Sequence, residues 1–269
     1  MTRLEVTDNK ISDPEQERLR GRQVLESSGP WPFTTFRVLK WPDNSRNLWL
    51  SRNHRKHLIP DHKKLDELKL RRVLWMPGDL NWWVAVIFAI GAALFSLGCL
   101  LFLLPSLQAW FRFSATDVNV FFFAGSIPFT LAAYLQLYQA ANAPFTETVK
   151  KSGPCGRYCF GWRPKDIGWL SCVLQFIGTV FFNFNTFDAM LPGLSRWQQE
   201  LEIWLPNIIG STLFLASGYL AFVETCHQHL AWKPADISWW VTLFNLLGCI
   251  GFMVAAVFSF VLPGQPNES

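Results

Sequence analysis

Five runs of about twenty apolar residues, set close together, leave this chain few ways to fold. They lie at about Trp82–Leu104, Val118–Ala141, Ile167–Met190, Ile203–Val223 and Trp239–Leu262. A bilayer core about 30 Å thick is crossed by about 20 helical residues, since each residue adds about 1.5 Å. None of the runs alternates apolar with polar residues, as a barrel strand would. One such run suits the buried helix of a large soluble core, but five in fewer than 200 residues do not. The pattern predicts an all-α fold: a polytopic membrane bundle of five transmembrane helices.

Charge is unevenly spread. Residues 1–80 hold 16 of the 24 Lys and Arg. The sequence therefore divides into a basic, partly disordered N-terminal region (1–74), a membrane domain (75–263) and a short outer tail (264–269). The net charge of +4 comes without any nucleic-acid-binding motif. A lipid surface accounts for it, so the bilayer is the expected partner and nucleic acid is not. The first twenty residues lack the apolar core of a cleaved leader.

With five spans, residues 1–80 and the loops near 142–165 and 225–237 share one side. That side carries 22 Lys and Arg; the other holds Arg112 and Arg196. Positive charge resists translocation, so the basic side is expected to be cytosolic and the C-terminus outer or lumenal. Asn267-Glu268-Ser269 is a glycosylation triplet on that outer side.

The odd-numbered spans open on one repeated motif, W-x-P-x-D-[LI]-x-W. It comprises Trp75, Pro77, Asp79 and Trp82; Trp162, Pro164, Asp166 and Trp169; and Trp232, Pro234, Asp236 and Trp239. The register continues inward through Gly91, Gly178 and Gly248, then Phe95, Phe182 and Phe252. Proline suits a first helical turn, and Asp suits the positive end of the helix dipole as an N-cap. The tryptophans suit the headgroup layer, with the indole N–H turned to water or lipid. The other reading of the three Asp is a shallow cation site on one face. The even-numbered spans repeat as well: Gly125, Ser126, Phe129, Tyr134 and Leu135 match Gly210, Ser211, Phe214, Tyr219 and Leu220 at equal spacing. The helices thus read A-B, A-B, A.

The paired G-S-x-x-F hairpins resemble YrhK-like integral membrane proteins, which are built from two-helix hairpins and have no assigned activity. The resemblance covers about residues 75–262 and rests on Gly125, Ser126, Phe129, Gly210, Ser211 and Phe214. It implies a hairpin fold and no catalytic residues. Residues 1–74 have no counterpart in it.

Two sets of residues are candidates for chemistry. Gln175, Asn183, Asn185 and Asp188 in span three, with Asn245 in span five, read either as a polar path between those spans or as interhelical hydrogen bonds. The second reading is favoured because no Lys, Arg or His lies deep in a span. Cys155 and Cys159, in one loop, share a side with Cys226, His227 and His229 in the next. Those residue types hold zinc or copper, although neither spacing is a standard one. Palmitoylation is the alternative for Cys155 and Cys159. No cofactor is predicted. Small-residue faces at Ala85, Ala89 and Ala93 and at Ser217 and Ala221 predict close helix packing within a bundle or a homo-oligomer.

In the N-terminal region, residues 1–30 read as unstructured. Residues 31–60 read as a candidate folded cap, and residues 61–74 as a basic amphipathic helix at the membrane surface. No P-loop, G-x-S-x-G or H-E-x-x-H is present. The expected role is therefore non-enzymatic, structural or interaction-based. The alternatives are a small-solute transporter or channel, and a metal or redox membrane protein.

Overall fold

The structure is a computed structural model; it describes residues 23–40, 44, 46–56, 75–143, 158–191 and 193–259. The expected surface helix at 61–74, Cys155 and the tail 264–269 lie outside the described residues.

Five helices are long and apolar enough to cross a membrane. They are α2 (Leu80–Leu103), α4 (Ala115–Ala141), α5 (Ile167–Asp188), α6 (Leu205–Cys226) and α7 (Ile237–Phe258). A short helix, α3 (Pro105–Phe111), follows α2; its Trp110 and Phe111 are exposed. A helical turn at Arg196–Gln198 and a π-helical stretch at Gln199–Trp204 run directly into α6. Each long helix packs on the next, and the pairs α2 with α4 and α5 with α6 are the closest. The two hairpins of the repeat are therefore the packing units, and α7 joins the row through α6.

Glycine sets the hairpin crossings. A methyl placed on Gly91 would lie 3.0 Å from the Gly125 carbonyl oxygen, and one on Gly178 3.2 Å from that of Gly210. Only a residue without a side chain lets the backbones come so near. The repeated phenylalanines then link one A-type helix to the next. Phe95 and Phe182 have ring centres 5.5 Å apart, and Phe182 and Phe252 5.4 Å. The buried residues of α2 are Val84, Gly91 and Gly98, at a seven-residue spacing, and Leu101. Ala85, Ala89 and Ala93, read from the sequence as its packing face, are exposed instead. Among the described residues no B-type helix precedes α2 to cover that face.

The N-terminal region adds a small sheet to an otherwise helical chain. β1 (Gln23–Ser28), β2 (Phe36–Lys40) and β3 (Arg46–Leu50) pair antiparallel in sequence order. β1 falls inside the stretch read as unstructured. Its polar side chains leave it largely exposed, and its order comes from the ladder with β2 rather than from burial. A short helix, α1 (Ser51–Arg55), continues straight from β3. The Ser51 amide donates to the carbonyl of buried Thr35 at 3.0 Å, tying α1 to the sheet. α1 rests on the end of the bundle formed by α5 and α6.

Candidate functional site

The entry motif works as a cap in all three copies. Asp79 accepts from the Asn81 amide at 2.9 Å, Asp166 from those of Gly168 and Trp169 at 2.9 and 3.3 Å, and Asp236 from that of Ser238 at 2.8 Å. Each carboxylate satisfies N–H groups that a helix start leaves unpaired. Replacing Asp166 with Ala should therefore cost about 1 kcal/mol, read as a lower thermal midpoint in detergent.

The tryptophans divide the work. Trp75, Trp162 and Trp232 are exposed, as a headgroup residue should be. Trp169 and Trp239 are buried, and their indoles donate to the carbonyls of Phe160 and Ala231 at 2.9 and 2.8 Å. These second tryptophans fasten the incoming loop to the helix, which corrects the headgroup reading for them. The residue after the first Trp also has a task. Arg163 donates to the Ala143 carbonyl at the end of α4, at 2.7 Å, and Lys233 to the Cys226 carbonyl at the end of α6, at 2.9 Å. Cations at a helix C-terminus satisfy orphan carbonyls and suit the dipole. The first copy, which no B-type helix precedes among the described residues, has the uncharged Met76 there.

The three copies differ at the variable position before the second Trp, occupied by Asn81, Gly168 and Ser238. In the first hairpin Asn81 accepts from Gln139 of α4 at 3.1 Å and donates to the Lys56 carbonyl at 2.8 Å. The offset of 85 residues that relates Gly125 to Gly210 also relates Gln139 to Glu224. In the second hairpin the amide pair is thus replaced by a carboxylate and a gap. A methyl on Gly168 would lie 2.5 Å from Arg55 Nε and 2.6 Å from Glu224 Oε1. Arg55 fills that gap. Its Nη2 lies 2.7 Å from Glu224 Oε2, and its Nη1 donates to Cys172 Sγ at 3.3 Å. Ser51 Oγ donates to the other carboxylate oxygen at 2.7 Å. Glu224 is wholly buried and Arg55 is 5% exposed.

Burial disfavours the Arg55 cation, but Glu224 more than offsets this and holds the guanidinium above its ordinary value. Glu224 also raises its neighbours Arg52 and Lys56, but burial outweighs it there. Burial, then the cations of Arg52 and Arg55, push Lys56 from 10.5 down to about 7. Between those values the undocked chain binds more protons than the docked one, so docking of α1 should strengthen as pH rises through that window and weaken towards pH 7. Protease protection of α1 followed from pH 7 to 9.5 checks this, and Lys56→Met should flatten the profile. Asp166, close by, is pushed up by burial and by Glu224, with Arg55 opposing.

The polar residues of span three do not meet those of span five. Asn183 donates to Thr130 of α4 at 2.8 Å, and Thr186 to Ser126 of α4 at 3.3 Å. Asn185 is buried, while Gln175 and Asp188 are half-buried. Asn245 is exposed and lies against α6 beside Gly218, so the polar path read between spans three and five is not formed. On its other side α5 meets α6 through Ser171 and Ser217, whose hydroxyls each donate to the other's carbonyl at 3.0 and 2.7 Å.

The candidate metal ligands also point apart. Cys159 is exposed, and Cys226 packs with Phe222 and Trp239. His227 meets Phe36 edge-on, with ring centres 6.1 Å apart, and His229 Nδ1 lies 3.0 Å from the Tyr219 hydroxyl. Among the described residues no group of three His, Cys, Asp or Glu side chains is placed to hold a metal.

Sequence reading missed Glu224, Arg55, Ser51, Gly168, Asn81 and Gln139. Its fourth span stopped at Val223, where hydropathy falls, whereas the helix continues to Cys226 and carries Glu224 with it. The signal was present in the register that sets Glu224 opposite Gln139. No protein-family model, no curated protein and no solved structure matches this chain.

Proposed function

We propose that this chain is a non-enzymatic multipass membrane protein whose helix bundle anchors and orients the N-terminal cap at the cytosolic surface. The observation that carries the reading is the Arg55–Glu224 pair: the one buried ion pair among the described residues joins the cap to the bundle. A cap held by a desolvated charge pair, a serine and an amide relay takes one fixed orientation relative to the helices. Hydrogen bonds between neighbouring helices engage Thr186, Ser171, Ser217 and the amide nitrogen of Asn183, which supports a packing role for them over a solute path. The YrhK-like resemblance, carried by the paired G-S-x-x-F hairpins, brings no activity with it. The 22-to-2 division of Lys and Arg supports a cytosolic cap.

Reporter fusions at both termini test the orientation; a cytosolic C-terminus contradicts it. Reconstituted vesicles test the role. The anchoring reading predicts no flux of ions or small polar solutes above that of empty vesicles, and saturable flux would contradict it.

A further inference from the structure

Three cations crowd the seam between the cap and the bundle: Arg52, Arg55 and Lys56 lie within five residues of one another. Glu224 answers them, but both of its oxygens are taken, by Arg55 and by Ser51. The Lys56 amide donates to the Arg52 carbonyl at 3.0 Å, so these two residues stand one helical turn apart and share a face of α1. Both are half-buried, and among the described residues neither charged head has a hydrogen bond or an ion pair. Asp236 and Asp166 are near enough to favour the arginine cations, yet each turns an oxygen to the N–H groups of its own helix. Half-buried like charges side by side are unfavourable until a counter-charge joins them. The lowering of Lys56 to about 7 records that shortage: burial leads, Arg52 and Arg55 follow, and Cys172 and Glu224 oppose. The depth of the seam is fixed as well. The Lys56 carbonyl accepts from Asn81 Nδ2 at 2.8 Å, level with the first turn of α2, where Trp75 is exposed. That is the headgroup layer of the membrane, in which the abundant anion is phosphate.

We propose that Arg52 and Lys56 bind one phosphate group at this seam, carried by an anionic lipid headgroup or by a soluble phosphate. Arg52 offers a planar fork that matches two phosphate oxygens, and Lys56 a compact charge one turn away. Arg55 does not take part directly, since Glu224 holds it. The bound anion supplies the negative charge that the seam lacks and joins α1 to the headgroup layer. The site rests on the seating of the cap, because α1 comes level with Asn81 only when the cap lies on the bundle.

Native mass spectrometry of the full chain in mild detergent, titrated with phosphatidic acid, tests the site. One lipid should bind saturably, and phosphatidylcholine should not compete with it. Arg52→Gln and Lys56→Gln should each weaken binding roughly tenfold or more, as the loss of one charge-assisted contact does. The double variant Lys40→Gln/Arg46→Gln, which removes two charges from the sheet, should leave it unchanged. A parallel titration with inorganic phosphate separates the sources. Equal affinity, lost in the same two variants, assigns the site to a soluble phosphate; binding of phosphatidic acid alone assigns it to lipid. Alkylation of Cys172 in the same samples reports whether the cap is seated. Should Arg52→Gln unseat it, Lys56→Gln, which removes a repelled charge, still reads the site. Slow alkylation with no saturable binding of either probe overturns the site and leaves the cap in place; fast alkylation in the native protein overturns both. Binding undiminished by Lys56→Gln, or lost equally in the sheet variant, also overturns the site.

Discussion

Glu224→Leu should unseat the cap while the five helices stay inserted. The substitution strands the Arg55 guanidinium in a buried site and leaves the Ser51 hydroxyl without its acceptor. Removing one partner of a buried pair costs about 3–5 kcal/mol, because the remaining charge stays desolvated and uncompensated. At about 1.4 kcal/mol per tenfold, the undocked population should rise by roughly two to three and a half orders of magnitude. Cys172 is the natural reporter, since it is buried and receives the Arg55 N–H. Its alkylation by a membrane-permeant maleimide should speed up in step with undocking. Arg55→Met should do the same. The double variant should recover most of the loss, because a well-packed apolar pair replaces a buried ion pair at little cost. Equal alkylation rates in all four proteins would show that the pair does not hold the cap.

The second large effect lies at the hairpin crossings. Gly91→Leu and Gly178→Leu each drive a side chain into a phenyl ring and a facing backbone. Overpacking a formed contact costs about 1–3 kcal/mol, and here the facing atoms include backbone that cannot turn aside. Each hairpin should therefore loosen, with a lower thermal midpoint in mild detergent. Gly248→Leu is the control. The space there is open, and leucine is a better helix former than glycine by roughly 0.7–1 kcal/mol. A uniform loss across the three variants would contradict the crossings as the cause, since a side chain at Gly248 meets no neighbour and leucine favours the helix.

The parts legible in sequence were those fixed locally. The Asp caps follow from a carboxylate two or three residues from free N–H groups, so the motif alone implied them. The five spans follow from length and hydropathy, and the A-B hairpins from equal spacing of Gly and Phe. What could not be read depended on partners far along the chain. Glu224 and Arg55 are 169 residues apart, and hydropathy ends a span at a charge rather than asking what neutralises it. Asn81, Gly168 and Ser238 were passed over because a repeat draws attention to what is shared. Among them the departures from the repeat mark where the cap is seated. Ala85, Ala89 and Ala93 met the usual pattern for a packing face, but only the order of the helices decides which face of α2 is covered.

Hydrogen exchange of residues 46–56 in the full chain, held in a bilayer, tests the seating of the cap most directly. The Ser51 amide, bonded to the Thr35 carbonyl, and the amides of β3 should exchange slowly in the native protein. In Glu224→Leu they should exchange faster by about two orders of magnitude or more, while those of α2 keep their protection. Rapid exchange of residues 46–56 in the native protein, or slow exchange that Glu224→Leu leaves untouched, would contradict a cap clamped to the membrane bundle by the Arg55–Glu224 pair.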